Sequence, residues 1–343
     1  MYVYSLDDMK VVVFIFLIVF LFSSCKKREN ENYEAPIFIN QEYLDVEVIN
    51  DDFMFKAISF ICTYDSLLIV GDCFINPVVH VFNKNSGDFI VSEGKIGAGP
   101  GELVIPTDIS FDHKNGQIFI HDAGKKAFIS FDINDLIATG KPVIEEIRFD
   151  NNQLVINHSY YLQDSLFISR NGLEEIVLGT KNQTIDQALL KSPASFDPLD
   201  WKMFLSNSLV SVNPKGDKFI LGTTIGGVLY IYSISQNKIT LDTTKYFYKP
   251  VIDRKGSIFN FDQSEYGFSN LYISDYYIYG SIFGQKNPTD LPHDICKFDY
   301  SGNPVARYNV GHPVATIAID EKEHHIYMAI YKDGELALAK ASF

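Results

Sequence analysis

From about residue 42 the chain alternates between short apolar runs and polar turns at a near-constant spacing. A turn signal followed by an apolar run begins at Asp65, Asn115, Asp164, Gly216, Asp275 and Glu323, so successive starts lie 50, 49, 52, 59 and 48 residues apart. Each run is preceded by another apolar stretch, as in Thr107 to Phe111, Leu209 to Val212, Leu271 to Ile273 and Val314 to Ile319. Each is followed by a third that alternates, such as Val79-His80-Val81-Phe82 or Leu229-Tyr230-Ile231-Tyr232. A turn such as Asn85-Ser86-Gly87-Asp88 then leads to a fourth, more polar run. Period-two alternation bounded by Gly, Asn and Asp is the signature of strands and turns, so the pattern predicts three to four strands per unit.

Six such units predict an all-β chain, a six-bladed β-propeller of four-stranded blades. The sixth unit runs out after strands near Val314 to Ile319, His325 to Ile330 and Leu336 to Ala341, one strand short. The alternating segment Glu42 to Ile49 is left over at the other end. Docked as the outer strand of the last blade, it closes the ring and leaves no open edge there. Two packed β-sandwiches are the alternative, and they require no closing strand. Two stretches break the period. Asn182 to Leu205 carries Asp186-Gln187-Ala188-Leu189-Leu190-Lys191, two prolines and the only Trp, Trp201, and reads as a short helix and an irregular crossing. Lys249 to Phe268, with Arg254, Lys255, Asp262 and Tyr266, is a second long connection. Loops on a rigid scaffold are where binding concentrates.

The first 25 residues read as a leader. Val11 to Phe22 is an uncharged run of 12 apolar residues, too short to span a bilayer and suited to a signal-peptide core. Ser23-Ser24-Cys25 resembles the lipobox of bacterial lipoproteins, in which the Cys is acylated; Phe22 stands where Leu is usual. Asp7 and Asp8 are out of place in a region that should be positive, so translation is expected to start at Met9, with Lys10 as its basic residue. Lys26 to Ala35 is charged and rich in Asn and Glu, which places a polar tether over 26–41 and the propeller over 42–343. Lys26 and Lys27 at the positions after the Cys favour sorting to the outer membrane, facing the periplasm or the cell surface. With Cys25 acylated, Cys62, Cys73 and Cys296 remain, an odd number. A hairpin about Thr63 to Ser66 would set Cys62 opposite Leu67 and Cys73 opposite Lys56, so buried free thiols are expected rather than a disulfide.

Gly97-Ala98-Gly99-Pro100-Gly101-Glu102-Leu103 is similar to the GxGPGE loop of Bacteroides-type six-bladed propeller lipoproteins, a TolB-like and NHL-like group. Phe298 to Val305 and the pair Ile317-Ala318-Ile319-Asp320 and Ile326-Tyr327 resemble that group's FDxxGNPV and IAVDxxxxxIY signature. The resemblance covers roughly residues 42 to 343 and implies a fold and an envelope location. It implies no reaction. The glycine-rich loop lacks the Lys and Ser/Thr of a phosphate-binding loop and leads to a strand, so it reads as a tight turn between blades.

By analogy with other propellers, that connection opens on the face where the central channel is entered, together with the loops joining second strands to third. The candidate binding face is therefore Gly97, Gly99, Gly101, Glu102, Asp108, His121, Asp122, Lys125, Arg170, Asn171, Lys332 and Asp333. No catalytic residue is assigned, because no GxSxG elbow is present. No HxxxH or HExxH frame is present either, and neither cofactor nor metal is expected. The charge balance, 29 basic against 43 acidic residues for a net −14, argues against a nucleic-acid partner. The function expected is non-catalytic binding or scaffolding of another envelope protein, a peptide or a glycan, with membrane contact through the N-terminal lipid. The alternative is a channel-centred hydrolase or lyase acting on a small or saccharide substrate.

Overall fold

A computed structural model describes residues 32–149, 158–171, 175–190, 192, 196–255 and 258–343. The expected leader, Met9, Cys25 and the first part of the tether lie outside the described residues. In chain order the strands are β1 (Asn40–Tyr43) and β2 (Val46–Asn50). Blade one follows as β3 (Phe60–Tyr64), β4 (Leu67–Gly71), β5 (Val79–Asn83) and β6 (Phe89–Glu93). Blade two is β7 (Pro106–Asp112), β8 (Gln117–Asp122), β9 (Ala127–Asp132) and β10 (Glu145–Arg148). Blade three is β11 (His158–Tyr161), β12 (Phe167–Asn171), β13 (Glu175–Thr180) and β14 (Gln183–Leu189). Blade four is β15 (Ser208–Val212), β16 (Lys218–Thr223), β17 (Val228–Ser235) and β18 (Lys238–Tyr246). A short ribbon, β19 (Asp253–Lys255) and β20 (Ile258–Asn260), precedes blade five. That blade is β21 (Phe268–Ile273), β22 (Ile278–Ile282), β23 (Asp294–Phe298) and β24 (Pro304–Asn309). Blade six has β25 (Val314–Asp320), β26 (His325–Lys332) and β27 (Glu335–Ser342), and β2 supplies its outer strand.

The middle strands are apolar on both sides because each is covered by both neighbouring blades. In β4, Leu67 and Ile69 pack toward Ile118 and Ile120 of blade two, while Leu68 and Val70 pack toward Tyr327 and Leu338 of blade six. The same division gives one core cluster between every adjacent pair of blades, the last of them joining blade six to blade one. That final cluster makes the array a closed ring of six blades.

The N-terminal segment departs from expectation in two ways. Residues 42–49 do not form one strand. β1 runs parallel to β24 as a fifth strand on blade five, and β2 runs antiparallel to β27 on blade six, with Val46 opposite Ala341 and Val48 opposite Ala339. The last bond to blade five is Leu44 N–H to the Asn309 carbonyl, 2.9 Å, after which the chain crosses to the next blade. The tether expected as far as residue 41 also ends earlier. Tyr33 meets Tyr246 ring to ring at 5.3 Å, Glu34 N–H donates to the Tyr246 carbonyl, and Phe38 is buried against Phe298. A belt from Tyr33 to Ala57 thus crosses blades four, five, six and one, and ends where Asp72 of blade one accepts the Lys56 and Ala57 N–H groups at 2.6 and 2.9 Å.

Two further expectations are corrected. The stretch Asn182 to Leu205 does contain a plain fourth strand: residues 183–189 form it in blade three, paired to β13 from Gln183 with Thr180 to Leu189 with Glu175. The short helix expected in that stretch follows the strand, at Pro198–Leu205, where Asp197 caps it and Pro198 opens it. The hairpin of blade one turns on two residues, so Tyr64 faces Leu67 and Cys62 faces Ile69 rather than Leu67. Cys62, Cys73 and Cys296 are free, and burial pushes the Cys296 thiol up to about 12.

Candidate functional site

Antiparallel order within each blade puts the start of the first strand and the end of the second at the same end of the blade. The expected site residues therefore share one face, called here the upper face. The inner strands of all six blades line a channel with a cavity of about 420 Å³, whose wall includes Asp108, His158, Tyr160, Arg170, Asn270 and Thr316.

Most of the expected binding residues hold the upper face together. The glycine-rich loop folds onto its own carboxylate: Gly99 N–H donates to Glu102 Oε2 at 2.7 Å, and a Cβ at Gly97 would lie 2.2 Å from that oxygen. Gly101 has φ of 74°, the left-handed region that favours glycine. Lys125 Nζ ties the loop to blade two, bonding the Gly99 carbonyl at 3.1 Å and Glu146 at 3.2 Å. Asp122 is buried and accepts the Val104, Ile105 and Lys125 N–H groups at 2.6, 3.0 and 3.0 Å. Asp72 does the same work at the end of the second strand of blade one, and the sequence reading missed it. Lys332 pairs with Asp51 of the belt at 2.6 Å, and Asp333 supplies a positive-φ turn position. The Asn171 side chain lies outside the described residues.

Asp108 and His121 do converge, and with residues that were not singled out. Asp108 is buried, and His158 Nδ1 stands 3.0 and 3.1 Å from its two oxygens. His121 Nδ1 is 3.7 Å from Asp108 and 2.7 Å from Thr107 Oγ1. The Ser159 N–H donates to Asp108 at 3.3 Å. Burial pushes the Asp108 carboxyl up, but His121 and His158 outweigh it and hold the group well below the usual carboxylate range. Burial, helped by the Asp108 charge, pushes the Tyr160 hydroxyl well above its usual value. Arg170, on the next blade strand, is buried and donates to the Ser208 and Leu205 carbonyls at 3.1 and 2.6 Å. His158 remains half-exposed toward the channel. It stands 50 residues after Asp108, one repeat on, at the matching end of the next inner strand. That period was the available signal for it.

The opposite mouth is wider, about 790 Å³, and its rim carries Asp65, Asp112, Lys114, Asp275, Asp320 and Glu321. Its charges are largely engaged in turns: Asp112 caps Lys114 and Asn115, and Lys84 bridges Asp320 and Glu323. The two irregular stretches meet each other on the upper face, through Arg254 to Asp200 at 3.5 Å and Phe204 against Phe261 at 5.3 Å. Among the described residues no three His, Cys, Asp or Glu side chains are grouped so as to hold a metal ion.

A family described as 6-bladed beta-propeller matches residues 27–188, just under half of the chain. Among solved structures, an exported protein of Bacteroides fragilis NCTC 9343 is 13% identical with a TM-score of 0.56, over 90% of this chain and 98% of its own. The structure of U3-55K is 6% identical with a TM-score of 0.53, over 87% and 98% of the two chains. The WD40 repeats of RRP9 are 6% identical with a TM-score of 0.52, over 91% and 99%. Among curated protein sequences none matches. At these identities the solved structures speak to fold alone, and together with the family match and the closed ring of cores they make this chain a six-bladed β-propeller of four-stranded blades.

Proposed function

We propose that the protein is a lipid-anchored cell-envelope propeller that binds a peptide, a glycan or another envelope protein at the upper mouth of its channel. The single observation that carries the reading is the His158 imidazole, oriented by buried Asp108 and half-exposed at the wall of a cavity large enough for a few sugar units or side chains. A binding site of this kind needs a few fixed polar groups on a rigid frame, and the inner strands provide both. The Cys25 lipobox and the exported Bacteroides neighbour fit an envelope location. The TolB-like and NHL-like resemblance belongs to the same proposal.

The test is in-cell crosslinking and affinity purification of the acylated chain beside Cys25→Ser and His158→Ala forms. One near-stoichiometric partner or glycan, lost with His158→Ala, supports the reading. A captured set unchanged by His158→Ala contradicts it.

The same pair favours a second reading, a channel hydrolase or lyase. With Nδ1 held by Asp108, the opposite ring nitrogen is placed to take a proton from a substrate. Saccharide turnover abolished by both Asp108→Asn and His158→Ala would move the assignment to this reading.

A further inference from the structure

β1 is surplus to the propeller. Blade five already has four strands, and β1 adds a fifth whose outer edge carries no strand among the described residues. Just ahead of β1 the chain buries Phe38 and leaves Ile37 and Ile39 outward, and Tyr43 ends the strand; Ile37, Ile39 and Tyr43 are 82, 93 and 89% exposed. Two isoleucines and a tyrosine this exposed on one edge are costly in water and suit the boundary between lipid headgroups and acyl chains. We infer that this edge of blade five docks on the lipid bilayer that holds the anchor.

The inference rests on the reading that Cys25 is acylated. Tyr33, where the belt is first fixed to blade four, stands eight residues after Cys25. Eight residue steps span at most about 28 Å. The membrane therefore lies within a blade's length of the belt, on the side of the ring where Ile37 and Ile39 follow four and six residues later. Lys26, Lys27 and Arg28 sit at the anchor itself, where they attract anionic headgroups. They offset the acidic residues Glu34 and Asp45 that flank the edge and Glu42 within it. A bilayer also solves the open-edge problem, because a sheet edge laid flat in the headgroup layer is shielded from pairing with another chain.

The test uses the full acylated chain in vesicles of phosphatidylethanolamine and phosphatidylglycerol. Cys73 is replaced by Ser, and a fluorophore is attached through Ile39→Cys, or through Val143→Cys on blade two across the ring. A lipid-borne nitroxide is expected to quench the Ile39 label severalfold more than the Val143 label. The Ile37→Asp/Ile39→Asp form, labelled through Tyr43→Cys, is expected to float with the vesicles and yet lose its quenching. Intact mass and flotation report the anchor separately. A chain without the acyl mass overturns the anchor reading and the docking with it. An acylated, floating chain whose Ile39 label stays open to aqueous iodide overturns the docking alone. So does a label shielded equally in detergent by a second copy of the chain.

Discussion

Two neighbouring strands, separated only by Leu44 and Asp45, do opposite things. β2 lies against β27 with Val46 and Val48 packed on the blade-six core, and its sheet is one strand short without it. β1 lies against β24, every residue of it exposed, on a sheet already complete. The difference shows that strand pairing alone does not reveal what a segment contributes. What decides is which face of the strand is buried and whether the sheet needed another member. Phe38, just ahead of β1, is the exception on that side, because it enters the core between blades four and five.

The sharpest way to break the comparison is to disrupt the buried side chains of each strand's segment. Val46→Asp with Val48→Asp should cost about 3 to 5 kcal/mol, because two carboxylates would be left against an apolar core. Urea unfolding checks it, and a loss below about 1 kcal/mol would mean that β2 is not needed for closure. Phe38→Ala should cost about 3 kcal/mol by emptying an aromatic site in the core, also read in urea.

The far end of the belt makes the comparison pH-dependent. Phe53 and Phe55 cover His80 on blade one, at ring distances of 4.7 and 6.1 Å. Burial pulls the His80 imidazole down from 6.5 to about 4, against the opposing pull of Asp72, while Ser92 bonds Nδ1 at 2.7 Å. The unfolded chain therefore binds the extra proton between pH 6.5 and 4. Stability rises with pH through that window and is lost as pH falls through it, by up to roughly 3 kcal/mol. In His80→Leu that slope should vanish from the pH dependence of the urea midpoint, and a slope retained in full would assign it elsewhere.

Smaller effects complete the series. Asp122→Ala removes the acceptor for three N–H groups and should cost about 1 to 2 kcal/mol, with faster amide exchange confined to Val104, Ile105 and Lys125. Ile37→Asp with Ile39→Asp should change the urea stability by less than about 0.5 kcal/mol. A large loss there would show that the exposed residues leading into β1 carry stability after all.

The ring was legible because each middle strand is buried on two faces and each turn uses Gly, Asn or Asp, so the 50-residue rhythm survives in the residue types. The split at Leu44-Asp45 was not, since alternation records which side faces inward but not which sheet the strand joins. The fourth strand of blade three, Gln183–Leu189, was not legible because its residues lack a clean strand alternation, and pairing along the whole of β13 decides it. The helix that does form was announced by Asp197-Pro198, a start signal stronger than the apolar run before it. At the site, Asp108 and His121 were legible as polar residues at strand ends. His158 was hidden by 50 residues of chain, because the contact runs between blades. The glycine loop and Asp122 were placed on the candidate binding face for a related reason: carboxylates that cap backbone N–H groups have the same residue types at the same face as carboxylates that bind ligands.

Amide hydrogen exchange tests most directly whether the N-terminal belt closes the ring with one strand and leaves the other free. The β2 amides that point at β27, every second one along the strand, should be protected to the level of the neighbouring β27 amides, opening only when the whole propeller unfolds. The outward-facing amides of β1 should exchange orders of magnitude faster. Equal, fast exchange in both strands would contradict the account, and the ring would then be closed without the N-terminal segment.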